Sequence, residues 1–411
     1  MLAQSCHPNN CRAMVMWRLV LRTTTFARRS RHSAMLLSLV ATACTDGPTV
    51  PTAGGLALQS LAVGSRYSRV VVRGDTAFSA LLDGNFAATS LLTGTELWRR
   101  KVTDVRVGEL GWANPDVAAS VGDVMVGDRR DVVAIRRRDG TIRWRYDGAA
   151  VAAWAELAIA TDGSLVAFAQ SRGFATVLDA ESGIVRWNRR LLPDDPDTWI
   201  TSPVFLGDVL VYLRRRNGAP RHGDAVAFAV RASTGDSLWT LTVDTLARIS
   251  DYAGQRAVAA DGDIILSLKR GEILRVSTID GHVKWRADAP ESTPADLREM
   301  VMSGSELLAS SIVGEGRLQS IDVATGAVNW SIVSPIGSPA SPLAINPDNV
   351  AFVALGSQLV VVDRKTRSVR HIGRDDLPIG GETGFLSAPI YAGKLLVVPS
   401  PRGLFTFRPA S

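Results

Sequence analysis

One short phrase recurs along the chain and constrains it more than any other feature: a polar residue and a glycine, three further residues, then tryptophan. The copies are Thr93-Gly94 to Trp98, Asp139-Gly140 to Trp144, Ser182-Gly183 to Trp187, Thr234-Gly235 to Trp239, Asp280-Gly281 to Trp285 and Thr325-Gly326 to Trp330. A seventh, Thr366-Arg367 to His371, keeps the spacing but loses both the glycine and the tryptophan. Successive end positions lie 46, 43, 52, 46, 45 and 41 residues apart, the length of a four-stranded propeller blade. Six of the nine tryptophans after Cys44 stand at this one position, which makes them architectural.

Each part of the phrase has a physical reason. A polar-Gly pair closes a tight hairpin because glycine accepts the positive φ that other residues resist. The strand before it, as in Ala175 to Ala180, alternates so that one face packs on a neighbouring blade. The tryptophan then falls on the outermost strand, where its ring fills the gap between blades. Upstream, Pro203–Leu213 and Met302–Val313 read as two apolar runs joined by a Gly-containing turn. Only Ala150–Leu157 and Pro294–Met302 have room for short helical turns. After the seventh period, residues 386–407 supply three strands without a fourth, while Gly55–Val63 precedes the first blade without a partner. The economical solution pairs these ends in one blade and leaves no open sheet edge. The expected fold is therefore all-β: an eight-bladed β-propeller of four-stranded antiparallel blades closed by the N-terminal strand, with seven blades as the fallback.

The first 43 residues read as an address. They hold six arginines and no acidic residue, which accounts for the whole formal charge of +6 and leaves the remainder neutral. A neutral body with interspersed charges gives no footprint for nucleic acid. Basic residues 26–32, the short apolar run Met35–Ala43 and small residues before Cys44 have the order of a secretory signal. That run has 9 residues, too few to span a bilayer, which takes about 20. Met14, Met16 and Met35 are alternative starts. The small residues and Cys44 resemble a bacterial lipobox, with Ala41 where leucine is usual, and the resemblance implies lipidation of Cys44. Residues 44–54 then form a flexible Pro/Thr/Gly tether, and 55–411 a single propeller. Cys6, Cys11 and Cys44 are the only cysteines, so the body holds neither a disulfide nor a thiolate site.

The phrases running from Val177 to Trp187 and from Ser320 to Trp330 resemble the tryptophan-docking repeat of quinoprotein-like (PQQ-repeat) β-propellers, and the resemblance covers residues 55–408. One branch of that family comprises dehydrogenases that use pyrroloquinoline quinone with calcium. Another is non-catalytic and includes the lipoprotein subunit of the outer-membrane β-barrel assembly machinery, whose size, anchor and blade count this chain resembles. The dehydrogenase branch carries a vicinal cysteine pair that the body lacks.

No catalytic motif stands out. Of His222, His282 and His371, the last two fall in outer-strand hairpins, and the acidic stretch Asp194, Asp195 and Asp197 lacks EF-hand spacing and is broken by Pro196. The insertion from Arg214 to Asp224 makes the longest period, and Arg214, Arg215, Arg216 and Arg221 are its candidate interaction residues. The sequence thus predicts an exported, lipid-anchored, monomeric scaffold without a cofactor. Its partners would be proteins at the bacterial envelope, and the resemblance points to the barrel-assembly machinery. A quinone-dependent oxidoreductase and a small-ligand-binding surface lipoprotein are the alternatives.

Overall fold

The computed structural model describes residues 52–409 apart from 54–55, 64–66, 82, 103–115, 120–122, 128–130, 148–158, 170–172, 193–197, 201–202, 217–224, 243–256, 268–271, 288–296, 312–316, 334–340, 342, 354–357, 373–387 and 401–402. The described strands form eight antiparallel sheets. We number these blades by chain order: blade 1 runs from Tyr67–Arg73 to Glu96–Lys101, and blade 7 ends at Val369–Ile372. Blade 8 is assembled from both ends of the chain. Ile390–Ala392, Leu395–Ser400 and Gly403–Pro409 are its first three strands, and Leu56–Val63 is its fourth. The ladder from Leu56↔Pro409 to Val63↔Gly403 realises the expected closure. A two-residue strand, Thr52–Ala53, pairs outside it with Ala57 and Leu56.

The innermost strands contact one another around the ring, and Ile390–Ala392 of blade 8 touches both Ala344–Ile345 of blade 7 and Tyr67–Arg73 of blade 1. No sheet in this circuit lacks a neighbour on either side, so middle strands are buried on both faces. In blade 3, Ala175, Thr176, Val177 and Leu178 are all fully buried. Alternation was expected to mark one packed face; instead it assigns successive residues to two different cores. Ala175 and Val177 join Tyr212 and Trp187 between blades 3 and 4. Leu178 joins Val132, Ala134 and Phe168 between blades 2 and 3. Removing such apolar surface from water, at about 25 cal/mol per Å², is what holds blade to blade.

Two local expectations are corrected. The segment expected as a helical turn at Pro294–Met302 is extended where it is described: Leu297–Ser303 is the inner strand of blade 6 and pairs with Glu306–Ser311. Partnership with a ready strand outweighs a weak local helical preference. Arg214, Arg215 and Arg216 were expected in a loop. They are the last residues of the strand Val209–Arg216, paired with Thr198–Ile200. The rest of that insertion, with Arg221 and His222, lies outside the described residues, as do Cys44, Asp194, Asp195, Asp197 and Ala150–Leu157.

Candidate functional site

The repeated phrase builds an inter-blade dock. In each copy the glycine sits at positive φ, between 71° and 77° for Gly94, Gly140, Gly183, Gly235, Gly281 and Gly326. A second reason for glycine lies in the preceding blade. A Cβ on Gly183 would come within 2.6 Å of the Trp144 ring, and one on Gly140 within 2.5 Å of Trp98. Gly235, Gly281 and Gly326 face Trp187, Trp239 and Trp285 in the same way. Each indole N–H also donates to the backbone carbonyl three residues before the facing glycine. Trp98 reaches Arg137 at 2.9 Å, Trp144 reaches Ala180 at 3.0 Å, Trp187 reaches Ala232 at 2.8 Å, Trp239 reaches Thr278 at 2.7 Å and Trp285 reaches Val323 at 2.8 Å. The ring supplies area while the N–H satisfies a carbonyl that the hairpin leaves over.

A turn cap accompanies the phrase and was missed in the sequence. Asp179, Asp322 and Asp363 stand four residues before Gly183, Gly326 and Arg367. Each carboxylate accepts backbone N–H bonds of its own turn, for example Ser182 to Asp179 at 2.9 Å and Thr325 to Asp322 at 2.8 Å. Asp179 is also paired with Arg186, which together with the Ser182 bonds lowers its pKa from 3.8 to about 2. The recurring aspartate ahead of the turn was the available signal.

Other polar groups also join blades. Asp263 is buried and receives Arg275 at 2.6 Å and Lys284 at 2.8 Å, and Arg275 reaches on to the Val323 carbonyl of blade 6. Arg143 bridges Asp123 in its own blade and Glu181 in blade 3, at 2.8 Å each. Arg364 of blade 7 pairs with Glu306 of blade 6 at 2.6 Å. These are structural ties, for each carboxylate is answered by a cation.

Among the described residues, two open clefts stand out. One, of about 400 Å³, lies between blades 3 and 4 and is lined by Asp162, Asp179, Asp208, Arg186 and Ser233. The other, of about 370 Å³, lies between the inner strands of blades 8 and 1, beside Tyr391, Gly74 and Gly393. Burial raises the pKa of Tyr391, so its phenol is held neutral. Among the described residues no group of three His, Cys, Asp or Glu side chains is placed to hold a metal ion. His282 and His371 are exposed on outer-strand hairpins, and the structure gathers neither with other titratable groups into a site. Arg214 is half-buried within its strand.

The comparisons with known proteins fit this geometry. A family model described as outer membrane protein assembly factor BamB matches residues 221–382. The fold is a PQQ-like β-propeller. BamB from Moraxella catarrhalis superposes with a TM-score of 0.61 at 14% identity, covering 86% of this chain and 99% of that one. The quinohemoprotein alcohol dehydrogenase of Comamonas testosteroni gives 0.62 at 13% identity, covering 87% and 77% respectively. The computationally designed protein Ika8 gives 0.66 at 13% identity, covering 85% and 99%. No curated protein sequence matches the chain. An enzyme, an assembly factor and a computationally designed protein all superpose on this fold, so the fold by itself selects no activity.

Proposed function

We propose that this chain is a non-catalytic propeller scaffold for protein partners at the bacterial cell envelope, acting in the assembly of outer-membrane β-barrel proteins. In this reading residues 1–43 are removed on export, Cys44 is acylated, 44–54 form the tether and 55–411 the single propeller. The observation that carries the reading is the match of residues 221–382 to the BamB model, since it rests on sequence and not on shared architecture alone. The docks support it: the conspicuous repeat side chains are consumed in holding blades together, which leaves loops and outer edges for partners. The experiment is cross-linking in intact cells, followed by purification of the tagged protein and mass spectrometry. Recovery of barrel-assembly subunits cross-linked to the propeller is the expected result. A different reproducible partner would keep the scaffold and discard the assembly role.

A second reading, a quinone-dependent oxidoreductase, is favoured by the likeness to the quinohemoprotein alcohol dehydrogenase. Addition of pyrroloquinoline quinone and calcium would then produce a bound absorbance band and alcohol oxidation; absence of binding removes this reading. Saturable binding of a sugar or peptide without turnover would indicate a sensing lipoprotein instead.

A further inference from the structure

We infer that the ring opens and closes at one seam, between blades 7 and 8, parting from the end that carries the turns. Blades 1 to 6 remain a fastened arc, and blade 8 moves with blade 1. This conformational device is separate from the scaffold reading and does not depend on it.

At the turn-bearing end every other seam is fastened by a directional bond. The indole bonds of Trp98, Trp144, Trp187, Trp239 and Trp285 join blades 1 to 6 in succession. Arg364 of blade 7 holds Glu306 of blade 6 at 2.6 Å. Blade 8 is bonded to blade 1 through the Ser60 hydroxyl on the Leu91 carbonyl and the Gln59 amide on the Leu92 carbonyl, at 2.6 and 3.3 Å. Between blades 7 and 8, no hydrogen bond or ion pair among the described residues joins the two blades at this end. What meets there is apolar: Ala351, Leu359 and Val361 of blade 7 against Leu396, Val398 and Phe407 of blade 8. Such contact is non-directional, so parting it costs the area that is wetted and breaks no bond.

Blade 7 also places a charge against this seam. In blades 2 and 5 the residue before the tryptophan is a cation held by a buried carboxylate, Arg143 by Asp123 and Lys284 by Asp263. Each of those acids is the first residue of its blade's second strand, and in blade 7 that place belongs to Asn349. Arg370, one residue before His371, therefore meets only an amide: its Nη2 donates to the Asn349 Oδ1 at 3.3 Å. Its Nε is buried without a partner among the described residues. Asp363 lies within its field but accepts the amides of Lys365 and Thr366 at 3.0 and 2.7 Å. Arg370 stands opposite Val361 in the ladder, on the side that faces blade 8. Burial raises the pKa of Tyr391 in blade 8, and the charge of Arg370 across the seam opposes that rise. A half-buried guanidinium without a paired carboxylate regains hydration when the seam parts, which favours the open state.

The absence of cysteine after Cys44 provides the test, because a single thiol can be placed in each seam. Buried reporters exist in matched positions: Ala134 between blades 2 and 3, Ala229 between 4 and 5, Ala77 between 8 and 1, and Ala351 and Val398 on the two walls between 7 and 8. Each is replaced by cysteine in the full chain, one at a time, and the native protein is treated with excess thiol reagent. Peptide mass spectrometry reads each site apart from Cys6, Cys11 and Cys44. Ala351→Cys and Val398→Cys should label about tenfold faster than Ala134→Cys, Ala229→Cys and Ala77→Cys, the factor that one hydrogen bond contributes. Their labelling should also change little in dilute urea, as for a local opening that exposes little surface; a variant that is merely destabilised follows its global unfolding curve. Equal rates at all seams overturn the inference. So does fast labelling of Ala351→Cys alone, which reports a thiol activated by Arg370, or equally fast labelling of Ala77→Cys, which reports a loosening of blade 8 as a whole.

Discussion

The five docks from blade 1 to blade 6 and the three seams around blades 7 and 8 solve the same packing problem differently. In the regular docks an indole lies on a glycine and bonds the carbonyl behind it. Blade 6 still presents Trp330, but blade 7 answers with Arg367 in place of glycine, at φ 65°. The guanidinium stacks 4.3 Å from the Trp330 ring, and the indole N–H has no hydrogen-bond partner among the described residues. Blade 7 then carries His371 where tryptophan stood. The reason is topological: in blade 8 the third strand, Gly403–Pro409, pairs with a fourth, Leu56–Val63, from far earlier in the sequence, so no third-to-fourth hairpin joins them to receive a ring. At the last seam blade 1 keeps its glycine, Gly94. What it meets is the Leu61 backbone, 3.0 Å from where a Cβ would be. The Ser60 hydroxyl donates to the Leu91 carbonyl at 2.6 Å, the place an indole takes elsewhere. The dock is thus a property of a pair of blades, and it lapses where the partner lacks the hairpin.

Several changes test that comparison. The largest effect is expected from deleting residues 50–63, which opens the edge of Gly403–Pro409 and removes Leu56, Ala57 and Ala62 from their cores. Soluble monomer should be lost to aggregates on size-exclusion chromatography; a stable monomer would show that the ring does not need its closing strand. Trp239→Ala, at a side chain only 8% exposed, should cost about 3–5 kcal/mol in chemical denaturation. The finer contrast is Trp239→Phe with Trp330→Phe. The first strands the Thr278 carbonyl and should cost about 1–3 kcal/mol more than the second, which removes no hydrogen bond. Equal costs would mean that the indole bond is not what distinguishes the docks.

Ser60→Ala should cost about 1–2 kcal/mol by leaving the Leu91 carbonyl unanswered at the closing seam. Asp179 gives a pH signature. Its carboxyl is depressed to about 2, so its contribution is present above the unfolded value of about 3.9 and is lost as pH falls toward 2. Asp179→Asn should flatten the fall in melting temperature across that window and leave the profile above pH 5 parallel. The smallest effect is expected for Arg367→Gly. It relieves about 1–2 kcal/mol of left-handed backbone cost and gives up a cation–π contact worth about 0.5–1 kcal/mol. A melting point displaced by no more than a few degrees is the expected outcome.

Much of this was legible in the residues. The Gly-to-Trp spacing gave blade boundaries, and the leftover strands at either end gave the closure through Leu56–Val63. The double burial of Ala175–Leu178 was less visible, because alternation looks the same whether one face or both are covered. Arg214–Arg216 read as loop because charged residues beside Asn217 and Gly218 carry turn composition; pairing with Thr198–Ile200 is a non-local event that composition does not encode. The aspartate ahead of three of the turns was in plain view at Asp179, Asp322 and Asp363, and its role emerged only from the N–H groups converging on it.

The sequence by itself determined the blade, since hairpin closure at a polar-Gly pair and an indole four residues after the glycine are local chemistry repeated at a near-constant period. Tertiary structure decided where that chemistry is completed. A docked tryptophan needs the carbonyl and the missing Cβ of a blade some 40 residues away, and Ser60 needs Leu91 from the far side of the chain's own junction. Those partners are set by ring closure, and closure is a property of all eight sheets together.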